Sequence, residues 1–274
     1  MYSSNEQSQP RKPVTVATMA KMKREAEKIA MLTAYDASFA ALCDMAAVDI
    51  ILVGDSLGMV MQGQDSTIPV TVDEMVYHTK CVCSRAGDSF VIADMPFMSY
   101  NTAEDAAWTA ARLMKEGGAQ MVKLEGGEGQ IEKVEFLTSQ GVPVCGHLGL
   151  LPQSVHKLGG YKVQGREDAQ AQVIINEAKM LEDAGADILV IECVPAELAK
   201  SVTDSVSIPV VGIGAGVDCD GQVLVLQDML GITPGKRPKF SRNFMEYASS
   251  IGEAISNYVQ AVKGREFPAP EHNV

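Results

Sequence analysis

Short apolar runs recur along this chain of 274 residues. Eight of them occupy residues 28–34, 48–54, 89–95, 119–125, 142–148, 187–192, 208–214 and 222–230. Each run is nearly continuously apolar instead of alternating with polar positions, which is typical of parallel strands covered on both faces. The pattern therefore predicts eight buried strands.

Segments with helical periodicity lie between most of these runs. The stretch "TVDE" at 71–74 is a capping box, in which Thr71 and Glu74 satisfy the first backbone amides of a helix. Thr102 is the expected N-cap of a second helix that stops at Gly117, and a third is expected across residues 167–187. The unit between the seventh and eighth runs lacks a clear helix. Strands and helices alternating in this number favour an α/β fold, a (β/α)8 TIM barrel, over an open doubly wound sheet.

No long linker or internal repeat divides the chain. We expect one catalytic barrel domain over residues 15–264, with a flexible N-terminal tail at 1–14 and a C-terminal tail at 265–274. The first residues are polar and lack the apolar core of a signal peptide, and no apolar run approaches the length of a membrane span. Six scattered cysteines without a CxxC motif indicate thiols in a reducing compartment. These features predict a cytoplasmic protein with no membrane partner.

Composition excludes one further class. Apolar residues make up 46% and charged residues 21% of the chain, as in an ordinary soluble globule. The formal net charge of −12 argues against a nucleic-acid partner, because binding to the phosphate backbone requires a basic surface.

Ionisable residues stand at the carboxyl ends of five predicted strands. They are Asp55, Asp94, Lys123 with Glu125, His147 and Glu192. Taken singly, an aspartate can cap a helix, a lysine and a glutamate two apart can pair, and a histidine can be satisfied in the core. Glu192 is the hardest to explain in this way, because a buried unpaired carboxylate is costly. Since strand ends of a barrel converge on the face that carries active sites, the set predicts one site there.

The donor types indicate the chemistry. Hard oxygen ligands without a Cys/His cluster favour Mg²⁺ over zinc. Asp55 and Asp94 fit as direct ligands, and Glu125 fits as a third ligand or as an acceptor for metal-bound water. Such a cation can chelate an α-keto acid and stabilise its enolate. The predicted reaction class is metal-assisted enolisation followed by formation or cleavage of a carbon–carbon bond.

The other polar residues have expected roles around the same substrate. Glu192 is a plausible general base for the proton beside the carbonyl. Lys123 could bind the developing oxyanion or the carboxylate, and Ser56 could donate a hydrogen bond to the carboxylate. His147 could orient a ligand oxygen.

An ordered set of motifs resembles one family. "MLTAYD", "VGDSLGMV", "ADMPFMSY", "MVKLEGG", "GHLGL", "ECVP" and "IPVVGIGAG" run from about residue 15 to about residue 264 and are together similar to ketopantoate hydroxymethyltransferases. The resemblance implies a barrel of the phosphoenolpyruvate/pyruvate superfamily, commonly a homodecamer, with one Mg²⁺ per subunit. It also implies transfer of a one-carbon unit from 5,10-methylenetetrahydrofolate to 3-methyl-2-oxobutanoate, which gives 2-dehydropantoate (ketopantoate) on the route to pantothenate and coenzyme A.

The family's functional motifs fall on the positions already singled out. By this resemblance the Mg²⁺ is surrounded by Asp55, Asp94 and Glu125, the substrate is bound at Ser56, Lys123 and His147, and the proton acceptor is Glu192.

Two other functions remain open. A Mg²⁺-dependent lyase of the same superfamily would cleave an oxo acid, but such enzymes typically need a cysteine-bearing catalytic loop that has no clear counterpart here. A non-catalytic ligand-binding barrel is disfavoured by the presence of Asp55, Asp94 and Glu192. The basic stretch at 235–244 is expected to be a solvated loop or a subunit contact, with contact to the folate glutamate tail as a further hypothesis.

Overall fold

The barrel is closed by eight parallel strands paired in sequence order. The computed structural model describes residues 11–274, so the prediction for residues 1–10 lies outside the described part. The strands are β1 (Ile29–Thr33), β2 (Ile50–Val53), β3 (Phe90–Asp94), β4 (Met121–Glu125), β5 (Val144–Gly149), β6 (Ile188–Glu192), β7 (Val210–Ile213) and β8 (Gly221–Leu224). Strand β8 pairs with β1, which completes the ring. The (β/α)8 TIM-barrel prediction is confirmed.

Helices connect the strands on the outside. They are α1 (Val16–Arg24), α2 (Ala37–Met45), α3 (Leu57–Val60), α4 (Val72–Cys83), α5 (Ala103–Lys115), α6 (Ile131–Ser139), α7 (Val155–Leu158), α8 (Asp168–Asp183), α9 (Ala196–Ser205), α10 (Leu226–Met229) and α11 (Ile251–Lys263). Four short 3₁₀ turns occupy Glu128–Gln130, Pro152–Ser154, Phe244–Tyr247 and Pro270–His272. As expected, β7 leads to β8 without an intervening helix.

The predicted helix starts are confirmed by their caps. The side chain of Thr71 accepts a hydrogen bond from the backbone amide of Glu74 at 3.2 Å, and Glu74 accepts one from the amide of Thr71 at 2.7 Å. Thr102 accepts from the amide of Asp105 at 3.1 Å. These bonds satisfy backbone donors that a helix start otherwise leaves free.

The eighth strand is shorter than the apolar run that predicts it. Residues 222–230 were expected to form one strand, but β8 ends at Leu224 and α10 follows. Pairing with β1 also stops at Leu224. The amide of Leu226 then donates to the side chain of Thr33 at 2.9 Å, which turns the chain over the top of β1. Continuous apolar character reflects burial here, and burial is shared by the strand and the short helix.

The barrel interior is divided into an apolar lower part and a polar upper part. Alternate strand residues point inward, and the inward-facing apolar cluster includes Met31, Ile50 and Ile92. Met19 and Met22 of α1 belong to the same cluster and cover its lower end. Because the alternation continues to the strand ends, the next inward positions carry the ionisable residues of the predicted site. A second apolar cluster packs the outward strand faces against the helices.

Both segments expected to be tails pack onto the barrel where the structure describes them. Arg11 donates to the carbonyl of Val48 and pairs with Asp49, each at 2.9 Å, and Val14 is buried. Phe267 is 2% exposed and lies in an aromatic cluster. Residues 265–274, which we expected to be a C-terminal tail, therefore pack onto the barrel through Phe267, and the domain bounds stay a prediction.

Two features bear on the compartment. All six cysteines are free thiols. Between residues 11 and 274, none of the helices combines the length and apolar character needed to cross a lipid bilayer. The cytoplasmic location stays a prediction.

Candidate active site

The inward-facing ionisable residues meet at the carboxyl ends of the strands. Register places Asp94 of β3 beside Lys123 of β4, and Glu125 of β4 beside His147 of β5. The Lys123 Nζ lies 2.6 Å from Asp94 Oδ1, and both side chains are 4% exposed. The alternative in which Lys123 and Glu125 of β4 pair only with each other does not apply, because Lys123 pairs across the sheet with Asp94.

The loop after β2 brings Asp55 against this pair. The amide of Asp55 donates to Asp94 Oδ2 at 3.0 Å. A Cβ at Gly54 would lie 2.7 Å from Ser56 Oγ, so a larger residue here would displace the Ser56 side chain from its present position. Ser56 Oγ shares a hydrogen bond of 2.9 Å with the hydroxyl of Tyr35. The run "GDS" therefore ends its strand in a carboxylate and a hydroxyl that both line the central cavity.

Gln153 connects the carboxylates, and the sequence reading missed it. Its Nε2 donates to Asp55 Oδ2 and to the carbonyl of Met95, each at 2.9 Å. Its backbone amide donates to Glu125 Oε2 at 3.0 Å. Tyr100 donates its hydroxyl hydrogen to Gln153 Oε1 at 2.5 Å. The only signal in the sequence is a polar residue in the "LPQS" loop that follows β5.

His147 lies between two carboxylates. Its Nδ1 is 3.4 Å from Glu125 Oε1 and its Nε2 is 3.2 Å from Glu192 Oε2. Neither nitrogen has a hydrogen-bond partner of good geometry among the described residues, so these contacts are ionic in character. Glu192 is more open than its neighbours, with a side chain that is 14% exposed. The arrangement leaves Glu192 able to face a bound ligand.

Burial and charge shift the pKa values of this group in opposite directions. Burial, together with Asp94 and Glu125, raises the pKa of Asp55 well above its usual range. Burial opposes the charge of Lys123, but the three neighbouring carboxylates outweigh it and raise the lysine pKa. Burial also opposes the charge of Glu125, whose pKa is nevertheless lowered by His147 and Lys123. Burial and Lys123 lower the pKa of His147, but the flanking carboxylates prevail and raise it to about 9.

These groups open into one cavity of about 680 Å³. Its lower wall holds all seven predicted site residues. Its side walls include the apolar residues Leu150, Val163 and Ile213. A cavity of this size with a few convergent polar groups fits a small organic ligand.

The donor set fits a bound divalent cation. Four carboxyl groups (Asp55, Asp94, Glu125 and Glu192) face two cationic side chains (Lys123 and His147), so negative charge is in excess in a buried place. Within residues 11–274, no group of three or more His, Cys, Asp or Glu side chains is arranged to hold a metal ion by itself. Mg²⁺ typically takes only one or two carboxylates and fills its other positions with water and substrate. Asp55 and Asp94 are the residues that would hold it, with Glu125 nearby.

The chain matches known proteins over nearly its whole length. The family model for ketopantoate hydroxymethyltransferase matches residues 13–270. A 3-methyl-2-oxobutanoate hydroxymethyltransferase of Alkalilimnicola ehrlichii is 59% identical over 265 residues, which cover 97% of this chain and 96% of the relative. The enzyme of the same name from Nitrosococcus oceani is 61% identical and is matched over 94% of this chain and 98% of its own.

Solved structures share the fold at much lower identity. Phosphonopyruvate hydrolase superposes with a TM-score of 0.61 at 13% identity, over 92% of this chain and 96% of its own. The 2,3-dimethylmalate lyase, a member of the PEP mutase/isocitrate lyase superfamily, gives a TM-score of 0.56 at 14% identity, over 92% and 98% of the two chains. At such identities the comparison supports the barrel architecture alone.

Proposed function

The chain belongs to the ketopantoate hydroxymethyltransferase family, and from this premise we propose that it transfers a hydroxymethyl group from 5,10-methylenetetrahydrofolate to 3-methyl-2-oxobutanoate. The product is 2-dehydropantoate, a precursor of pantothenate and coenzyme A. The observation that carries the proposal is the convergence of Asp55, Asp94, Lys123 and Glu192 around one cavity large enough for both substrates.

Glu192 takes the proton from C3 of the oxo acid. Its carboxylate faces the cavity and contacts His147 at 3.2 Å, which holds the side chain in place. The C3–H bond breaks, the proton moves to Glu192, and the electron pair forms the enolate. Water adds to the methylene carbon of the donor as its two carbon–nitrogen bonds break, and the two protons of the water go to the two nitrogens, so that tetrahydrofolate leaves and formaldehyde remains. C3 of the enolate then bonds to the formaldehyde carbon, and the oxygen of the new alkoxide takes the proton held by Glu192.

Lys123 and Ser56 hold the oxo acid. Lys123 is buried with three carboxylates around it, so it stays charged and can attract the oxyanion that develops on enolisation. Ser56 is oriented by Tyr35 and can donate to the substrate carboxylate. Because the surrounding strands are rigid, both groups are already in position before the proton moves.

Asp55 and Asp94, with Glu125 nearby, would hold one Mg²⁺ in each subunit. When bound, Mg²⁺ supplies Lewis-acid stabilisation of the enolate oxygen. The excess of carboxyl groups at this position supports the assignment. One of the solved neighbours, a phosphonopyruvate hydrolase, is described in complex with oxalate and Mg²⁺.

A lyase function is the second candidate, and one observation weighs against it. Such an enzyme typically requires a reactive cysteine at the mouth of the barrel. The cysteine that lines this cavity is Cys193, and it is 6% exposed. Burial and the neighbouring Glu192 raise its thiol pKa, so the thiol is protonated and poorly reactive at neutral pH.

We also propose a cellular location and an oligomeric state for the enzyme. Free cysteines throughout the chain are compatible with the cytoplasm, where thiols stay reduced. A homodecamer is the assembly expected from the family resemblance. Gel filtration with light scattering, which measures molar mass directly, tests this assembly.

One experiment tests the proposed chemistry. The protein is incubated with Mg²⁺ and 3-methyl-2-oxobutanoate in D₂O and followed by proton NMR, before and after addition of methylenetetrahydrofolate. We expect loss of the C3 proton signal and then formation of 2-dehydropantoate, both abolished by EDTA. Exchange without product would point to another electrophile. Neither reaction in folded, metal-loaded protein would contradict the proposal.

The variant Glu192→Gln tests the base. General-base catalysis contributes about 10²–10⁴-fold, so the variant should lose that factor in both C3 exchange and turnover. It should still bind Mg²⁺ and the oxo acid by calorimetry. Glu197→Gln, an exposed change in α9, is the matched control and should behave as wild type. Wild-type turnover in Glu192→Gln would remove this residue from the mechanism.

A further inference from the structure

Three cations stand together at the mouth of the cavity. Lys236, Arg237 and Lys239 lie within four consecutive positions, and all three line the same cavity that reaches Glu192. The chain as a whole carries a formal net charge of −12. Positive charge is therefore concentrated at the entrance of an otherwise acidic protein.

The three cations form no ion pair with a carboxylate in the part of the chain that the structure describes. Across residues 11–274, no carboxylate oxygen lies within 4.0 Å of a side-chain nitrogen of Lys236 or Arg237. Lys239 donates to the backbone carbonyl of Asn273 at 2.7 Å, and no carboxylate oxygen of residues 11–274 lies within 4.0 Å of its Nζ, although the last residue, Val274, lines the same cavity. The nearby Arg242 differs, because its guanidinium stacks 4.9 Å from the ring of Phe244. Lys239 and Arg242 thus have structural contacts in this region, whereas Lys236 and Arg237 have no carboxylate partner, and none of the three mouth cations is in an ion pair that would compete with a ligand.

The segment that carries these cations is fixed at the entrance. Phe240 follows directly, lines the cavity and packs against the apolar barrel interior. The buried Ser241 donates its backbone amide to the carbonyl of Pro238 at 3.0 Å, which closes a turn. The loop is therefore held by this turn, which spans Lys239, and by the bond from Lys239 to Asn273.

We propose that Lys236, Arg237 and Lys239 form a subsite for the carboxylate-bearing glutamate tail of the folate donor. This inference rests on the proposed function, which requires the donor's methylene carbon to reach the oxo acid beside Glu192. The tail lies at the opposite end of the donor from its pteridine ring, so it must point to the mouth. Apolar walls at Tyr161 and Phe240 suit the ring portion between these ends.

The size of the effect follows from the exposure of the cations. Each exposed ion pair is worth about 1.4- to 5-fold in affinity, so loss of all three cations should weaken donor binding roughly 3- to 100-fold. A triglutamate tail carries more carboxylates than a monoglutamate tail and should bind more tightly to the wild type. This advantage should shrink as salt rises, because exposed charges are screened over about 8–10 Å at moderate ionic strength.

The test compares the triple variant Lys236→Ala, Lys239→Ala and Arg237→Ala with wild type. Calorimetry measures binding of tetrahydrofolate with one and with three glutamates, and kinetics gives KM for the corresponding methylene donors. We expect the triple variant to raise donor KM and to lose the triglutamate preference, while C3 exchange of the oxo acid stays at the wild-type rate. The matched control, Lys80→Ala with Lys179→Ala, removes exposed charge from α4 and α8 and should leave both preferences intact.

The outcomes separate this inference from the proposed function. If turnover is normal, and the wild type and the triple variant bind the monoglutamate and triglutamate forms with equal affinity, the subsite is overturned and the proposed function stands. If the wild type forms no product yet binds triglutamate more tightly through these cations, the subsite stands and the transfer proposal fails. Inorganic phosphate serves as a competing anion. If phosphate competes as well as a tail of equal charge, and donor affinity does not depend on the number of glutamates, the three cations form a general anion-binding patch and the assignment is overturned.

Discussion

At the scale of single residues, Gln153 is the link on which the carboxylate arrangement depends. Its side chain donates a hydrogen bond to Asp55, and its backbone amide donates one to Glu125. Tyr100 orients the amide by donating to its oxygen. Gln153 thus acts as a positioning residue for groups that come from two different strands.

Loss of this link should impair turnover more than folding. In Gln153→Ala we expect kcat/KM to fall about 10- to 100-fold, because a displacement of about 1 Å at reacting groups can have an effect of that size. Tyr100→Phe removes only the orienting hydroxyl and should give a smaller decrease of the same kind. Steady-state kinetics and the C3 exchange rate measure both effects, with thermal unfolding as a check on folding.

The exposed Gln172→Ala in α8 is the control for the loss of a glutamine amide. Equal kcat/KM for wild type and Gln153→Ala would contradict the positioning role. A thermal transition that falls in proportion to activity would indicate a general structural role instead.

The site residues at strand ends could be predicted from the sequence, because side chains alternate between the two faces of a strand. Inward-facing positions alternate along each strand, so an ionisable residue at the end of an apolar run marks the rim of the barrel. Asp94 and Glu192 were identified in this way. Gln153 and Tyr100 were not, because they lie in loops whose approach to the rim depends on the three-dimensional path of the chain.

At the scale of elements, α4 shows how a short motif determines where a helix begins. Thr71 and Glu74 exchange hydrogen bonds across the first turn. These bonds lower the pKa of Glu74, with the backbone bond to Thr71 as the largest cause. A lowered pKa means that the folded state favours the charged carboxylate.

The stability that Glu74 contributes should therefore depend on pH. It is fully present above the ordinary value of 4.5 and is lost as pH falls through the lowered folded-state pKa. We expect Glu74→Ala to be destabilising at pH 7 and nearly neutral in strongly acidic solution. Urea unfolding at several pH values measures the difference, and Glu135→Ala, an exposed change in the body of α6, is the control. A destabilisation that did not change with pH would show that the carboxylate charge plays no part.

Element boundaries were less accessible than element types. The apolar run at 222–230 was correctly placed at the eighth strand, but its second half is the helix α10. Local sequence cannot separate these two, since both are buried and the hydrogen bond at the boundary joins Leu226 to Thr33, far away in the chain. The missing helix between β7 and β8 was predictable, because the connection is too short and too rich in glycine to hold one.

At the scale of the whole molecule, the C-terminal region packs across the junction of the first and last strands. Tyr258 of α11 donates its hydroxyl toward the carbonyls of Met31 in β1 and Gln222 in β8, at 2.8 and 3.0 Å. The first and last strands are thus joined by a helix as well as by their own pairing. Phe244 and Phe267 pack edge to face on Tyr258, with ring centroids 5.5 and 6.0 Å away.

The sequence does not reveal this role of residues 265–274, because the segment is short and carries charged residues and prolines instead of a helical or strand pattern. A single buried aromatic residue, Phe267, fixes it to the barrel, and one residue leaves no periodic pattern. Its packing also brings Asn273 to Lys239 at the cavity mouth. The same C-terminal segment therefore packs on α11 through Phe267 and contacts the mouth loop through Asn273.

Truncation of this ring should affect stability and donor binding together. Phe267→Ala removes a fully packed aromatic side chain, and such changes typically reduce the free energy of unfolding by about 3–5 kcal/mol. Phe267→Leu keeps much of the volume and should have a smaller effect. Because the segment also anchors Lys239, donor KM should rise in Phe267→Ala while C3 exchange by the folded fraction continues. Urea unfolding and the two kinetic assays measure these effects, with Tyr247→Ala as the control at an exposed aromatic position. Wild-type stability in Phe267→Ala would show that packing of this ring does not stabilise the barrel.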